Sequence, residues 1–260
     1  MKIALLGGKG LLGRRVSPLL TAEGHQVVVA SRSTTGPGER RADFATGEGV
    51  AEAIGDTEVV VHLVSNVAKQ RETDIEGTRR LLDAVDSQHL IYVSIVGVDR
   101  HPYRYYRTKL AVEEMIRDSG VSHTILRATQ FHDFLAYVLK SACRPPVAFV
   151  PKRFVFQPID TTEVAVRIAE LVSTRPPGLQ PDVAGPTVHK ADYLARTFME
   201  ARGKERPVIN LPLFGTTARA FEQGAHTNLD RAVGVVTWED YLAGGDSTGN
   251  GRIEPRAYGE

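Results

Sequence analysis

The sequence predicts an α/β fold: a doubly wound parallel sheet with a small C-terminal lobe. Two observations carry this. Short β-branched apolar runs alternate with helical patterns through the first half of the chain, and the run at 58–64 is almost continuously apolar, as in a strand covered on both faces. Strands separated by helices of this length connect by right-handed crossovers, and ligands then bind beyond the carboxyl ends of the strands.

Residues 2–6 form the first short strand. Residues 11–23 form a helix with Leu12, Val16, Leu19 and Leu20 on one stripe, stopped by Gly24. Strands follow at 26–30 and 41–44, a helix at 49–54, a strand at 58–64 and a helix at 74–86 carrying Ile75, Leu81, Leu82 and Val85. A fifth strand at 89–95, a helix at 105–118 and a sixth strand at 121–127 complete the regular part. The rhythm then loosens. Helices are expected at 131–143, 161–173, 190–201 and 217–223, short strands around 151–153 and at 207–213, and a Pro/Gly linker at 175–181. The division is a nucleotide-type domain at 1–150, a small α/β lobe at 151–243 packed on it, with sheet strands open to sharing, and a disordered tail at 244–260.

Composition narrows the function. The 260 residues carry 32 Lys and Arg against 31 Asp and Glu, so no charge excess points to nucleic acid or an anionic membrane. No stretch approaches the ~20 apolar residues of a membrane span. The single cysteine, Cys143, excludes an internal disulfide and suits a reducing cytoplasm. The eight histidines fall at no metal-ligand spacing, so no metal is expected. His62 reads as a core histidine, Cys143 as structural and Trp238 as the anchor of the last helix.

The chemistry starts at Gly7-Gly8-Lys9-Gly10-Leu11-Leu12-Gly13, between the first strand and the first helix. Gly7 permits a tight turn, Gly10 lets a pyrophosphate reach the backbone amides, and Gly13 lets helix and strand pack closely. This loop is the expected seat of a dinucleotide. At the end of the second strand an acidic residue would select NAD through the ribose 2′-hydroxyl; the chain has Ala30-Ser31-Arg32-Ser33 instead. Arg32 suits a 2′-phosphate, with Ser31 or Ser33 as an added donor, so NADP(H) is the expected cofactor and NAD(H) the alternative.

Tyr105 and Lys109 are four residues apart at a helix start, on a shared face. A free tyrosine titrates near 10, too high for acid–base work at neutral pH; a nearby ammonium favours the phenolate form. Such a pair can protonate a carbonyl oxygen or take a proton from an alcohol. Ser94, closing the fifth strand, is the candidate for a second donor to the same oxygen.

Gly-x-x-Gly-x-x-Gly at 7–13, Asp43-Phe44, Val-His-Leu-Val at 61–64, Asp-Ile-Glu-Gly-Thr-Arg-Arg-Leu-Leu at 74–82, Tyr-Val-Ser-Ile-Val-Gly at 92–97 and Tyr-x-x-x-Lys at 105–109 together resemble an atypical short-chain dehydrogenase/reductase. The segments 125–131 and 157–160 resemble its NmrA-like NAD(P)-binding branch, and the resemblance covers roughly residues 1–242. It implies that Asp43 and Phe44 lie against the adenine, that Leu63, Val64 and Ser65 run beside the ribose and nicotinamide, and that Lys109 holds the nicotinamide ribose. It places residues 127–132 beside the nicotinamide and substrate: Arg127 on the cofactor side, Gln130, Phe131 and His132 on the substrate side. Relatives carry further small polar residues after the fifth strand, where this chain has Ile95 and Val96.

The leading expectation is an NADP(H)-dependent oxidoreductase acting on a small or medium carbonyl, quinone or polyketide-like compound, with Tyr105, Lys109 and Ser94 as catalytic residues. Two others stay open: a non-catalytic dinucleotide sensor, since the branch includes such proteins, and an epimerase or dehydratase with retained cofactor. Partners are then small molecules, and the sequence permits a homo-oligomer.

Overall fold

The computed structural model describes residues 1–34, 36–144 and 146–244; the expected tail, Gly244 apart, lies outside them. In chain order the large sheet begins with β1 (Lys2–Leu6), α1 (Gly13–Ala22), β2 (Gln26–Ser31), β3 (Glu39–Arg41), α2 (Val50–Ile54) and β4 (Val59–His62). A π-helical turn, Arg71–Glu76, leads into α3 (Gly77–Ala84), followed by β5 (His89–Ile95), α4 (Arg104–Asp118) and β6 (His123–Ala128). The chain continues through α5 (His132–Ala142), β7 (Ala148–Pro151), β8 (Val155–Phe156), α6 (Thr161–Thr174), β9 (Gly178–Leu179), β10 (His189–Lys190), α7 (Ala191–Glu200), β11 (Val208–Leu211), α8 (Thr216–Glu222) and α9 (Trp238–Ala243).

Seven strands form one parallel sheet in the order β3-β2-β1-β4-β5-β6-β9. Side chains alternate across it, which explains the continuous apolar runs. Ile3, Leu5, Val59, Val61, Ile91 and Leu126 face Val16 and Leu20 of α1 and Ile168 and Leu171 of α6. Ala4, Leu6, Val60, Leu90, Tyr92 and Ile125 face Ile54 of α2, Leu81 of α3 and Val112 and Ile116 of α4. Both faces being sealed, truncating one of these side chains, Leu126→Ala for instance, would cost roughly 2–5 kcal/mol. A third cluster fills the lobe: Leu135 and Leu139 of α5, Leu194 and Phe198 of α7, and Trp238 of α9, whose Nε1 donates to Thr197 Oγ1 at 2.8 Å. Two short ladders join it, β7 parallel to β11 and β8 antiparallel to β10.

Three expected elements shift. The third strand lies at 39–41 rather than 41–44, so Asp43 and Phe44 sit in the turn after it. The linker expected at 175–181 holds β9, which extends the sheet beside β6 with Thr124 opposite Gly178. A two-residue edge strand carries no periodicity, so only the structure shows it. The helix expected from 74 begins as the π-helical turn, and regular α-helix starts at Gly77. α6 and β9 both pack with the large sheet, so the chain leaves it after β6, returns for these two elements and leaves again.

Candidate active site

The carboxyl ends of β1, β4, β5 and β6 converge where the order of the sheet reverses between β1 and β4. At β1 the turn is built around missing side chains. Gly7 has φ +80°, and a Cβ there would lie 3.1 Å from the Leu63 carbonyl carbon. A Cβ on Gly13 would fall 2.5 Å from both the Gly7 oxygen and the Gly8 Cα. The Gly10 amide folds back to the Gly7 carbonyl at 2.8 Å, which curls the backbone into the start of α1. Leu11 and Leu12 lead into the helix, whose Arg14 amide donates to the Gly10 carbonyl at 3.1 Å and whose Arg15 amide donates to that of Leu12 at 3.0 Å. Gly13 thus lets α1 close directly onto the turn, while the space beside Gly10 is open apart from the Gly7 oxygen at 3.1 Å, and this cradle of backbone at a helix start fits the pyrophosphate of a dinucleotide.

At the end of β2, Arg32 is exposed, and the Ser31 hydroxyl donates to the Ser33 carbonyl. Lys9, from the glycine turn, reaches the same loop: its Nζ donates to the Ser33 carbonyl at 2.8 Å and pairs with Glu39 Oε2 at 2.8 Å. Spacing gave no hint of this crossing. Asp43 is half-buried and accepts from the Ala45 amide at 2.8 Å, closing the turn. Phe44 is buried with its ring stacked on His62, 5.1 Å between centroids. His62 also bonds Thr78 Oγ1 at 3.0 Å, and burial pushes its pKa down to about 3, so it stays neutral.

The polar centre lies between β4 and α4. Leu63 and Val64, half-buried, pack against the two sheet cores and deliver the exposed Ser65 to the strand end. Ser65 Oγ lies 2.8 Å from Tyr105 Oη and 2.6 Å from Asp74 Oδ1. Asp74 is buried in the π-helical turn; its Oδ2 accepts the Asn66 amide at 3.0 Å, and Oδ1 is 3.9 Å from Lys109 Nζ. The Lys109 ammonium is buried 4.9 Å from the Tyr92 ring centre and 5.9 Å from that of Tyr105. Burial works against its charge, but the phenols of Tyr92 and Tyr105 and the Asp74 carboxylate outweigh it and hold the pKa above the usual lysine range. Burial also pushes the Tyr92 phenol up, so it stays protonated. The structure thus brings Tyr105, Lys109 and Ser65 together and adds Asp74. The sequence shows Asp74 only as the first residue of the 74–82 segment, nine positions from a serine on another element.

Other nominated residues are placed elsewhere. Ser94 is buried at the end of β5, and its hydroxyl has no hydrogen-bond partner among the described residues. The Arg127 guanidinium is clamped by Glu113 through Nε at 2.9 Å and Nη2 at 2.7 Å, with Asp99 at 3.4 Å. That bidentate pair neutralises a fully buried carboxylate and leaves the guanidinium committed. Gln130 is buried: its Nε2 donates to the His226 carbonyl at 3.2 Å and Tyr106 Oη at 3.4 Å, and its Oε1 accepts the Gln157 amide. Phe131, half-buried, packs on the first sheet core. The His132 ring is fully buried 5.1 Å from Tyr241 and 5.8 Å from Trp238, with its pKa pushed down by burial to about 3. A ring so enclosed does not exchange protons near neutral pH. Among the described residues, no three His, Cys, Asp or Glu side chains are grouped to hold a metal ion, and no helix is long and apolar enough to cross a membrane.

A protein-family model described as NAD(P)H-binding matches residues 7–137. Uncharacterized proteins of Mycobacterium tuberculosis and Mycobacterium bovis are 26% identical over 132 residues, 49% of this chain but 14% of theirs. The chain thus spans a small part of those relatives. Among solved structures, an NADPH-dependent quinone oxidoreductase of Escherichia coli complexed with NADPH superposes with a TM-score of 0.78 at 18% identity, covering 94% of this chain and 99% of that one. A nucleoside-diphosphate-sugar epimerase of Staphylococcus aureus gives 0.76 at 17% identity over 93% and 99%. UDP-glucose 4-epimerase of Thermus thermophilus, in complex with NAD, gives 0.65 at 19% identity over 91% and 100%. At these identities the likeness is one of fold. The family match, however, begins at the glycine turn and runs through α4, so it takes in the cradle and the whole Tyr105 network, and the chain belongs to this NAD(P)H-binding family.

Proposed function

We propose that the protein is an NADP(H)-dependent oxidoreductase that reduces an organic carbonyl or quinone, in a cytoplasmic setting. The observation that carries this is the partly exposed Tyr105 hydroxyl at the carboxyl end of the sheet, beside a buried, charged Lys109. The backbone between Gly7 and Gly13 would hold the cofactor diphosphate, and Arg32, with Lys9 reaching its loop from the glycine turn, would meet a 2′-phosphate. When bound, the cofactor supplies the hydride.

The chain supplies the proton and the field. Tyr105 Oη gives its hydrogen to the substrate oxygen as that oxygen gains electron density, and the phenolate regains a proton from water. Lys109 stabilises the anionic oxygen electrostatically, and its burial strengthens the effect by excluding solvent. The E. coli quinone oxidoreductase of the same fold, solved with NADPH, supports the substrate class.

The nucleotide-sugar epimerases of the same fold favour a second reading, in which the cofactor is retained and regenerated. Net consumption of NADPH separates the two. The test is steady-state oxidation of NADPH with menadione by the wild type and by Tyr105→Phe. The variant is expected to lose at least ~100-fold in kcat with its NADPH dissociation constant within about twofold. Full activity in that variant would remove Tyr105 from the mechanism.

A further inference from the structure

We propose that Ser65, held in place by Asp74, is the positioning hydroxyl for Tyr105; the sequence nominates a different serine, Ser94, as a second donor to the substrate oxygen. This deepens the oxidoreductase reading and rests on it.

The donor inventory fixes the direction of the hydrogen bonds. Beside the Lys109 ammonium Asp74 is a carboxylate, which only accepts. Its Oδ1 takes the single Ser65 proton at 2.6 Å and its Oδ2 takes the Asn66 amide at 3.0 Å. With that proton committed, Ser65 Oγ meets Tyr105 Oη at 2.8 Å as an acceptor. The donors therefore run from Tyr105 to Ser65 to Asp74; this fixes where the phenolic oxygen sits, and its hydrogen must turn from Ser65 to the substrate oxygen when it is transferred. Asp74 can anchor this chain because it is itself rigid. It is buried, tied to the backbone at Asn66, and carried by the π-helical turn, a local widening of helix of the kind found at functional positions.

The same carboxylate sets the charge around the phenol. The groups facing Tyr105 are Lys109 on its own helix, Asp74 on the π-helical turn, Tyr92 on β5, and the neighbouring Tyr106. Asp74 offsets the ammonium at 3.9 Å while leaving it charged. Ser94 has no comparable tie: it is 3% exposed, and its hydroxyl bonds no other described residue. Two hydroxyls thus stand at adjacent strand ends, and only Ser65 is joined to the tyrosine.

The experiment compares Ser65→Ala, Ser65→Thr, Ser94→Ala and Asp74→Asn in two ways. The first is NADPH oxidation with menadione. The second is the ring ζ-carbon NMR signal of Tyr105 in cofactor-free protein, assigned by its loss in Tyr105→Phe. Ser65→Ala is expected to lower kcat at least ~10-fold more than Ser94→Ala, with the menadione KM and the NADPH dissociation constant within about twofold, and to move the Tyr105 signal. Ser65→Thr, which keeps the hydroxyl, should restore both. Asp74→Asn offers a single acceptor oxygen, so it should lose one of the two hydrogen bonds from Ser65 and the Asn66 amide, and it should move the pH profile of kcat because a charge beside the phenol is gone. The inference is overturned if Ser94→Ala moves the Tyr105 signal and Ser65→Ala does not, or if Ser65→Thr fails to restore a folded Ser65→Ala variant. If wild-type protein oxidises no NADPH with menadione, the oxidoreductase reading fails by itself, and the cofactor-free NMR signal still decides the Ser65–Tyr105 contact.

Discussion

Tyr105 and Tyr106 are consecutive on α4 and meet opposite surroundings. Tyr105 is partly exposed beside Ser65 at the strand ends, its ring near a buried ammonium. Tyr106 turns about 100° away, as helix geometry requires, into a sealed group of rings. There His101 stacks on it at 4.4 Å, and Phe221 and His226 stand edge-on at 6.4 Å. Its hydroxyl meets Gln130, and burial pushes its pKa well up. The difference is one of openness against cohesion. The Tyr105 side is polar, charged and open; the Tyr106 side fastens the small lobe to the sheet with rings and satisfied amides.

That contrast can be broken by mutation. The largest effect is expected from the tyrosines: Tyr105→Phe should cut the menadione-dependent kcat at least ~100-fold, whereas Tyr106→Phe should leave it within about twofold and lower stability by about 1 kcal/mol. Equal losses in kcat would erase the distinction. Next comes the cradle. Gly13→Val places a branched side chain where even a Cβ sits 2.5 Å from backbone, so a loss of about 3 kcal/mol in urea unfolding and undetectable NADPH binding are expected. An unchanged unfolding midpoint would mean that α1 is free to lift from the turn.

On the sealed side, Gln130→Leu strands the Gln157 amide and the His226 carbonyl, and should cost about 1–3 kcal/mol in the same measurement. Acid should act there too. His132 and His226 bind protons more weakly folded than unfolded, with pKa values pushed down by burial to about 3 and about 4. Their contribution to stability is complete above about 6.5 and declines as pH falls from there toward those folded values, by about 1.4 kcal/mol per pH unit for each ring. The buried carboxyls of Asp133 and Glu163, pushed up chiefly by burial, act with the opposite sign, so the reading is a difference: His132→Gln should flatten the acid decline relative to wild type by about one proton. Parallel curves would show that the His132 ring titrates freely. The smallest effect is expected at the loop after β2, where Arg32→Ala should weaken NADPH about tenfold and spare NADH. Equal losses would deny Arg32 a part in choosing the cofactor.

Much of the large sheet was legible. Its strands are covered on both faces, so their apolar runs are continuous, and the glycine turn declares itself because Gly7 turns at positive φ and Gly13 has no room for a Cβ. The candidate site was legible where local spacing fixes it: Tyr105 and Lys109 share a face of one helix. It was illegible where two elements meet. Asp74 joins Ser65 only because a π-helical turn brings it to the end of β4, and Lys9 reaches the Ser33 carbonyl only because β1 and β2 are neighbours. Gln130 shows the converse. Its place in the 125–131 motif aimed it at substrate, but the 155–157 and 226–228 segments, remote in sequence, close over it and take up its amide.

The most direct test of the account is a crystal structure of the protein with NADP bound. The diphosphate should lie against the Gly10–Leu12 backbone and the nicotinamide on the Tyr105 side of α4. A carbonyl placed about 3.5 Å from the reacting carbon of that ring should then also reach Tyr105 Oη. A dinucleotide lodged elsewhere, with the glycine turn bare and Tyr105 facing only solvent, would contradict it.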